Sequence, residues 1–241
     1  MRLIDRRKLL IAATAAALGN VGSEAKPEGQ VAMTHIVLLG DSVFDNAAYV
    51  GKGPDVVRQL RENLPAGWRA TLLALDGATT MNVATQLRQL PPDASHLVVS
   101  AGGNDALRDS DVLNEPARSV TEALHKVAAV RDEFRQLYRG MLDEVLGRKL
   151  PAAVCTIYDP RFADPLQRRI GSTALAVLND AITREAFVRD LALIDLRVLC
   201  DSDDDFANPI EPSVQGGAKI AQGIANWARN DVGRRSLVIA R

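Results

Sequence analysis

A chain of 241 residues, 47% of them apolar, is long enough to bury one sizeable core and too apolar for a disordered protein. Its net charge of -1 gives no footing to nucleic acid or to an anionic membrane surface. Its two cysteines, Cys155 and Cys200, exclude a disulfide framework and have no metal-ligand spacing, so they read as free, buried thiols.

In chain order, the first 32 residues stand apart. Arg2, Arg6, Arg7 and Lys8 precede a short Ala/Leu run over 9–18, and Ser23-Glu24-Ala25 follows. Charged, apolar and small-residue zones in that order have the layout of a secretory signal. The Arg6-Arg7 pair before Lys8-Leu9-Leu10 resembles a twin-arginine signal, which implies a periplasmic or secreted product. The rival reading is a chain that starts at Met33 and stays in the cytoplasm, with 1–32 a mis-assigned leader. Either way the fold is expected to be one domain over 33–241.

From Met33 onward, short apolar runs at 36–39, 71–75, 97–100, 152–157 and 192–196 read as strands. Stretches with helical spacing lie between them, at 54–64, 120–146, 166–187 and 215–228. Alternation of this kind predicts an α/β fold, with helices on both faces of a five-stranded parallel sheet. By analogy the strand order is the flavodoxin-like 2-1-3-4-5. The acidic run 201–205 reads as a solvated loop, and the tail after Asn230 as a surface end.

Parallel strands share one carboxyl edge, where ligands bind. The first strand delivers Gly40-Asp41-Ser42 to that edge, the second Asp76-Gly77-Ala78-Thr79-Thr80, and the third Gly102-Gly103-Asn104-Asp105. Gly-Asp-Ser after a strand also serves as a helix cap, so the tripeptide alone does not decide. A nucleophilic serine needs a proton acceptor and donors for the developing oxyanion. The N–H groups of Ser42 and Gly77 and the Asn104 amide are suited to be those donors.

These blocks, with a Pro-Ser-x-x-Gly segment at 212–216, resemble the SGNH (GDSL) hydrolase superfamily over 35–229. The resemblance implies a three-layer α/β/α sandwich and a serine that attacks esters, thioesters or acetylated sugars. It assigns Ser42 as nucleophile, and Ser42, Gly77 and Asn104 as oxyanion donors. The fourth block departs from the family's Asp-x-x-His-Pro-Ser. Here the frame reads Asn208-Pro209-Ile210-Glu211-Pro212-Ser213, with glutamate in the histidine's place and asparagine in the aspartate's.

Glu211 is therefore the candidate base of a Ser–Glu dyad, with Asn208 donating a hydrogen bond to its carboxylate. Burial has to raise its pKa, since an ordinary glutamate titrates too low for a base at neutral pH. The alternative is a structural Glu211 in a site that has lost hydrolysis. His35 and His96 precede strands at the opposite edge of the sheet, and His125 on the long helix is the other candidate base. Asp45 and Asn46 read as caps. Tyr158, Asp159 and Arg161, after the fourth strand, read as substrate contacts or a surface ion pair.

The function expected is that of an atypical serine ester hydrolase acting on a small-molecule ester or acylated substrate, without a cofactor, nucleic acid or stable membrane insertion. The rival readings are a pseudo-hydrolase that holds an acyl or acetylated ligand, and a flavodoxin-like binder of no hydrolytic ancestry.

Overall fold

The computed structural model describes residues 33–230 and 238–239. The expected leader over 1–32 lies outside them. In chain order the elements are β1 (His35–Gly40), α1 (Val56–Asn63), β2 (Arg69–Leu72), α2 (Val83–Gln86), β3 (His96–Ser100), α3 (Gly103–Arg108), α4 (Val120–Leu146), β4 (Ala152–Cys155), α5 (Pro165–Val188), β5 (Ala192–Ile194), α6 (Leu196–Leu199), β6 (Phe206–Asn208), β7 (Glu211–Pro212), α7 (Val214–Arg229) and β8 (Val238–Ile239).

The main sheet has the order β2-β1-β3-β4-β5-β8, and every pairing in it is parallel. The expected 2-1-3-4-5 order is present. A sixth strand extends it, because Val238 and Ile239 pair with Leu193 and Ile194, where the sequence reading had only a surface tail. Two residues carry too little pattern to read as a strand, and pairing with β5 is what makes them one.

Both faces of the sheet are covered at its centre, which is why β1, β3 and β4 are apolar over most of their length, while the edge strand β2 carries the exposed Arg69. Ile36 and Leu38 of β1 pack with Val56 and Leu60 of α1 and Ile220, Ile224 and Trp227 of α7. The alternate residues Val37 and Leu39 pack with Val83 of α2, Phe134 and Leu142 of α4 and Ile182 of α5. The result is an α/β/α sandwich.

Strand β2 is shorter and earlier than the expected 71–75. The N–H groups of Leu73 and Ala74 both donate to the Leu38 carbonyl, so one-to-one pairing stops there. The expected strand at 152–157 ends at Cys155. The Thr156 N–H still reaches the Ile194 carbonyl, but the Ile157 N–H turns to Asn179 Oδ1.

The helices stop and start where capping dictates. Ser119 accepts the Glu122 N–H before α4, Asp164 accepts the Leu166 N–H ahead of Pro165 in α5, and Ser213 accepts two N–H groups of α7.

Candidate active site

The end of β1 is fixed before Ser42 begins. Gly40 has φ +120°, and a Cβ there would lie 1.7 Å from the Ser100 carbonyl oxygen of β3. Only glycine tolerates that approach and that dihedral. The side-chain amide of Gln86 grips both backbone groups of Gly40, donating to its carbonyl and accepting its N–H, each at 2.8 Å. Beyond it, the Asp41 carbonyl accepts the Phe44 and Asp45 N–H groups, and Asp41 Oδ1 accepts the Val43 N–H. This tight turn presents Ser42 at the carboxyl edge of the sheet.

Asn46 is fully buried and ties three segments together. Its Oδ1 accepts the Val56 N–H at the start of α1, and its Nδ2 donates to the Pro212 carbonyl. It therefore satisfies a helix N-terminus as expected, and it also joins the Ser42 turn to the segment that bears Glu211. Asp45 binds the Asp76 N–H instead of capping, while Asp55 caps α1.

The second and third loops meet through Asp105, which accepts the N–H and hydroxyl of Thr80. Gly77 has φ +75°, the left-handed region, and nothing lies within 4 Å of the point where a Cβ would sit. Neither its N–H nor that of Ser42 is taken by an acceptor among the described residues. Asn104 donates one amide hydrogen to the Ala78 carbonyl at 2.9 Å and keeps the second.

Glu211 sits on a small antiparallel hairpin, β6–β7, in which Phe206 pairs with Pro212 and Asn208 with Glu211. Asn208 does not donate to the Glu211 carboxylate, contrary to expectation. It is exposed, and its Oδ1 accepts the backbone N–H groups of Ile210 and Glu211, each at 3.0 Å. An asparagine in a turn satisfies the backbone close by in preference to a side chain beyond it.

The turn before the hairpin is anchored too. Asp205 is buried against Lys219 of α7 at 2.7 Å, and the Ser213 N–H donates to its carbonyl. The acidic run is thus a docking turn at Asp205, and is exposed at Asp201, Asp203 and Asp204.

Ser42 Oγ donates to Glu211 Oε1 at 3.0 Å, and the two residues are 7% and 6% exposed. Glu211 Oε2 is buried with no partner among the described residues. Burial pushes the Glu211 carboxyl up to about 7, helped by the Asp76 charge and opposed by the Ser42 hydrogen bond. Burial likewise pushes Asp41 up to about 8, against the pull of the Val43 N–H.

No histidine stands in this cleft. His35 bonds Asp93 and Thr71, His96 meets the Trp227 ring, and His125 is exposed on α4.

Ser42 and Glu211 open on a cleft of about 180 Å³. Its far wall is apolar, with Leu107, Val112, Val130, Ile157 and Leu175. The acidic side chains Asp41, Asp109 and Glu211 line it, and no Lys, Arg or His among the described residues does. Among the described residues no group of His, Cys, Asp and Glu is arranged to hold a metal ion, and no helix is long and apolar enough to cross a membrane.

The sequence reading thus found four residues that the fold brings to one edge, Ser42, Gly77, Asn104 and Glu211. Nothing in the sequence announces the buried tie of Gln86 to Gly40, and the cap read at Asn46 is present while its second tie, to Pro212, lies far along the chain. The ion pair expected at Arg161 is present, with Asp203 at 3.7 Å, and Tyr158 lines the cleft as a substrate contact would. Tyr158 is buried and donates to the Ile210 carbonyl at 2.5 Å, and the Arg161 N–H donates to the Pro209 carbonyl at 2.7 Å.

Residues 38–219 match the family model described as GDSL-like Lipase/Acylhydrolase. No curated protein is detectably similar to the chain. Among solved structures, the chain is similar to an extracellular lipase from Streptomyces rimosus, with a TM-score of 0.56 at 20% identity, over 81% of this chain and 98% of that one. A phospholipase A1 from Streptomyces albidoflavus gives 0.55 at 18%, over 82% and 98%. A psychrotrophic esterase from Pseudoalteromonas sp. gives 0.56 at 17%, over 82% and 100%. Likeness at these identities establishes a shared fold.

Proposed function

The chain belongs to the GDSL-like lipase/acylhydrolase family, and from that premise we propose that it is a serine ester hydrolase working through a Ser42–Glu211 dyad. The observation that carries this reading is the buried 3.0 Å hydrogen bond from Ser42 Oγ to Glu211 Oε1. A carboxyl pushed up to about 7 supplies what an ordinary glutamate lacks, a proton affinity matched to neutral pH.

The Glu211 carboxylate takes the Ser42 hydroxyl proton as Oγ attacks the acyl carbon. The carbonyl oxygen becomes an oxyanion, held by the N–H groups of Ser42 and Gly77 and by the free amide hydrogen of Asn104. When this intermediate collapses, the protonated Glu211 gives its proton to the departing alcohol. Water then attacks the acyl-Ser42 carbonyl while Glu211 accepts its proton. Return of that proton to Ser42 Oγ releases the acid.

No histidine is needed, so no aspartate is needed to orient one. Asn208 in the aspartate's place fits this scheme, because a carboxylate beside Glu211 would raise its pKa beyond use. The acyl chain lies against the apolar wall of the cleft. The phospholipase and lipase activities named for the neighbouring structures are those proteins' own; the cleft supports uncharged acyl esters here.

The test is p-nitrophenyl acetate hydrolysis between about pH 5 and about pH 9, with wild type, Ser42→Ala and Glu211→Gln. The expected result is loss of activity in both variants and a wild-type rate that rises with pH through about 7, as Glu211 loses its proton. A Glu211→Gln rate equal to wild type removes Glu211 as the base. A wild type no faster than Ser42→Ala across a panel of acyl chains leaves a binding protein instead.

A further inference from the structure

We propose that Tyr158 and Asn208 together clamp the peptide unit between Ile210 and Glu211, and that the Tyr158 hydroxyl is a positioning group which aims the Glu211 carboxylate at Ser42. This rests on the reading of Glu211 as base.

The carbonyl of Ile210 and the N–H of Glu211 belong to one planar peptide. The Tyr158 hydroxyl donates to that carbonyl at 2.5 Å, and Asn208 Oδ1 accepts that N–H at 3.0 Å. A rigid plane held at both polar ends cannot rotate, so the direction in which Glu211 leaves its backbone is set before substrate arrives.

The clamp is itself held. Tyr158 is 6% exposed, and its ring meets the edge of Phe206 at 5.0 Å between centroids. Phe206 pairs across the hairpin with Pro212, the residue after Glu211. The Arg161 guanidinium lies 5.3 Å from the centre of the same Phe206 ring, and the Arg161 N–H holds the Pro209 carbonyl. Segment 158–161 therefore braces the hairpin on both sides of the base. Burial raises the Tyr158 phenol well above its ordinary value, so the hydroxyl remains a donor at working pH. The charge that acts on the Glu211 carboxyl is that of Asp76, and Glu211 in turn acts on Asp41, Tyr49 and Tyr158, around which Asp45, Asp105 and Cys200 are the other ionisable groups.

A 1 Å error at a catalytic group can lower a rate about 100-fold. Tyr158→Phe keeps the ring and its packing and removes only the hydroxyl. The expected result is a kcat at least tenfold lower, a KM within about twofold of wild type, and an acid limb displaced below about 7 as the loosened hairpin admits water to Glu211. Loss of folded protein alone lowers the amplitude and leaves the acid limb where it was, and that outcome overturns the proposal. So does a Tyr158→Phe enzyme with the wild-type kcat and profile.

Asn208 is exposed, so its variants test the other end of the clamp even if Tyr158→Phe folds poorly. Asn208→Ala is expected to lower kcat, and Asn208→Ser, which keeps a neutral acceptor oxygen at the turn, to restore part of it. Equal kcat in the two Asn208 variants counts against the clamp. Glu211→Gln is run alongside. Wild-type activity in that variant refutes the base itself, whereas its inactivity with an unaltered Tyr158→Phe refutes only the clamp.

Discussion

Replacing Glu211 by glutamine should remove a loss of stability that the protein suffers as pH rises through neutrality, while abolishing its proposed chemistry. Burial moves this carboxyl from an ordinary 4.5 up to about 7, so between those values the folded chain keeps a proton that the unfolded chain has released. Wild-type stability therefore falls as pH rises through that window, then levels off. The gap between the two values amounts to roughly 3 kcal/mol. Glutamine does not titrate and escapes that loss.

Asp41, pushed up in part by the Glu211 charge, relaxes in the variant and adds to the effect with the same sign. The new amide places an NH₂ where Oε2 has no partner, which costs about 1–3 kcal/mol at every pH. The diagnostic quantity is thus the variant-minus-wild-type stability at about pH 8 less the same difference at about pH 5. Urea unfolding at the two pH values measures it, and a gain of about 2–3 kcal/mol is expected. A difference that does not change with pH would refute the claim that Glu211 is a desolvated carboxyl in the folded state.

Three further outcomes are expected. Asn104→Ala should lower kcat about 100-fold with little change in KM, because the donor it removes acts on charge that develops in the transition state; steady-state kinetics decides this. Gln86→Leu leaves the Gly40 N–H buried and unpaired, while the Gly40 carbonyl keeps the Leu75 N–H, so the variant should be destabilised by roughly 2 kcal/mol and lose about 6 °C in Tm in a thermal melt. Among p-nitrophenyl esters assayed at about pH 9, where Asp41 and Glu211 have lost their protons, an acyl chain ending in a carboxylate should be hydrolysed at least tenfold less efficiently than its uncharged counterpart of equal length, since Asp41, Asp109 and Glu211 line the cleft and no Lys, Arg or His among the described residues does. Equal kcat/KM values would refute that electrostatic reading.

Much of the fold was legible because a strand buried on both faces is an uninterrupted apolar run. Ile36 to Leu39 and Leu97 to Val99 are of that kind, and α4 keeps the span its periodicity predicts. Ser42, Gly77 and Asn104 were legible because parallel strands deliver their ends to one edge, and Glu211 because it occupies a recognisable frame.

What was not legible depends on partners remote in sequence. Asn46 contacts Pro212, Gln86 contacts Gly40, and Tyr158 contacts Ile210, and no local pattern announces such pairs. Asp205 looked like one more acidic loop residue until Lys219 of α7 came beside it. The role of Asn208 was misjudged because its side chain was matched to a carboxylate when two backbone N–H groups lay closer along the chain.

The hydrogen bond between Ser42 and Glu211 joins residues 169 positions apart. At about 5–20 residues per second, synthesis makes the serine on the order of ten to thirty seconds before the glutamate exists. During that interval Ser42 has no proton acceptor, and the hairpin, Asn208 and Pro212 have not yet been translated. The hydroxyl is chemically ordinary until the last third of the chain folds against the first. If the proposed Ser42–Glu211 dyad is the catalytic pair, the nascent chain is silent on the ribosome and its activity switches on as a late consequence of folding.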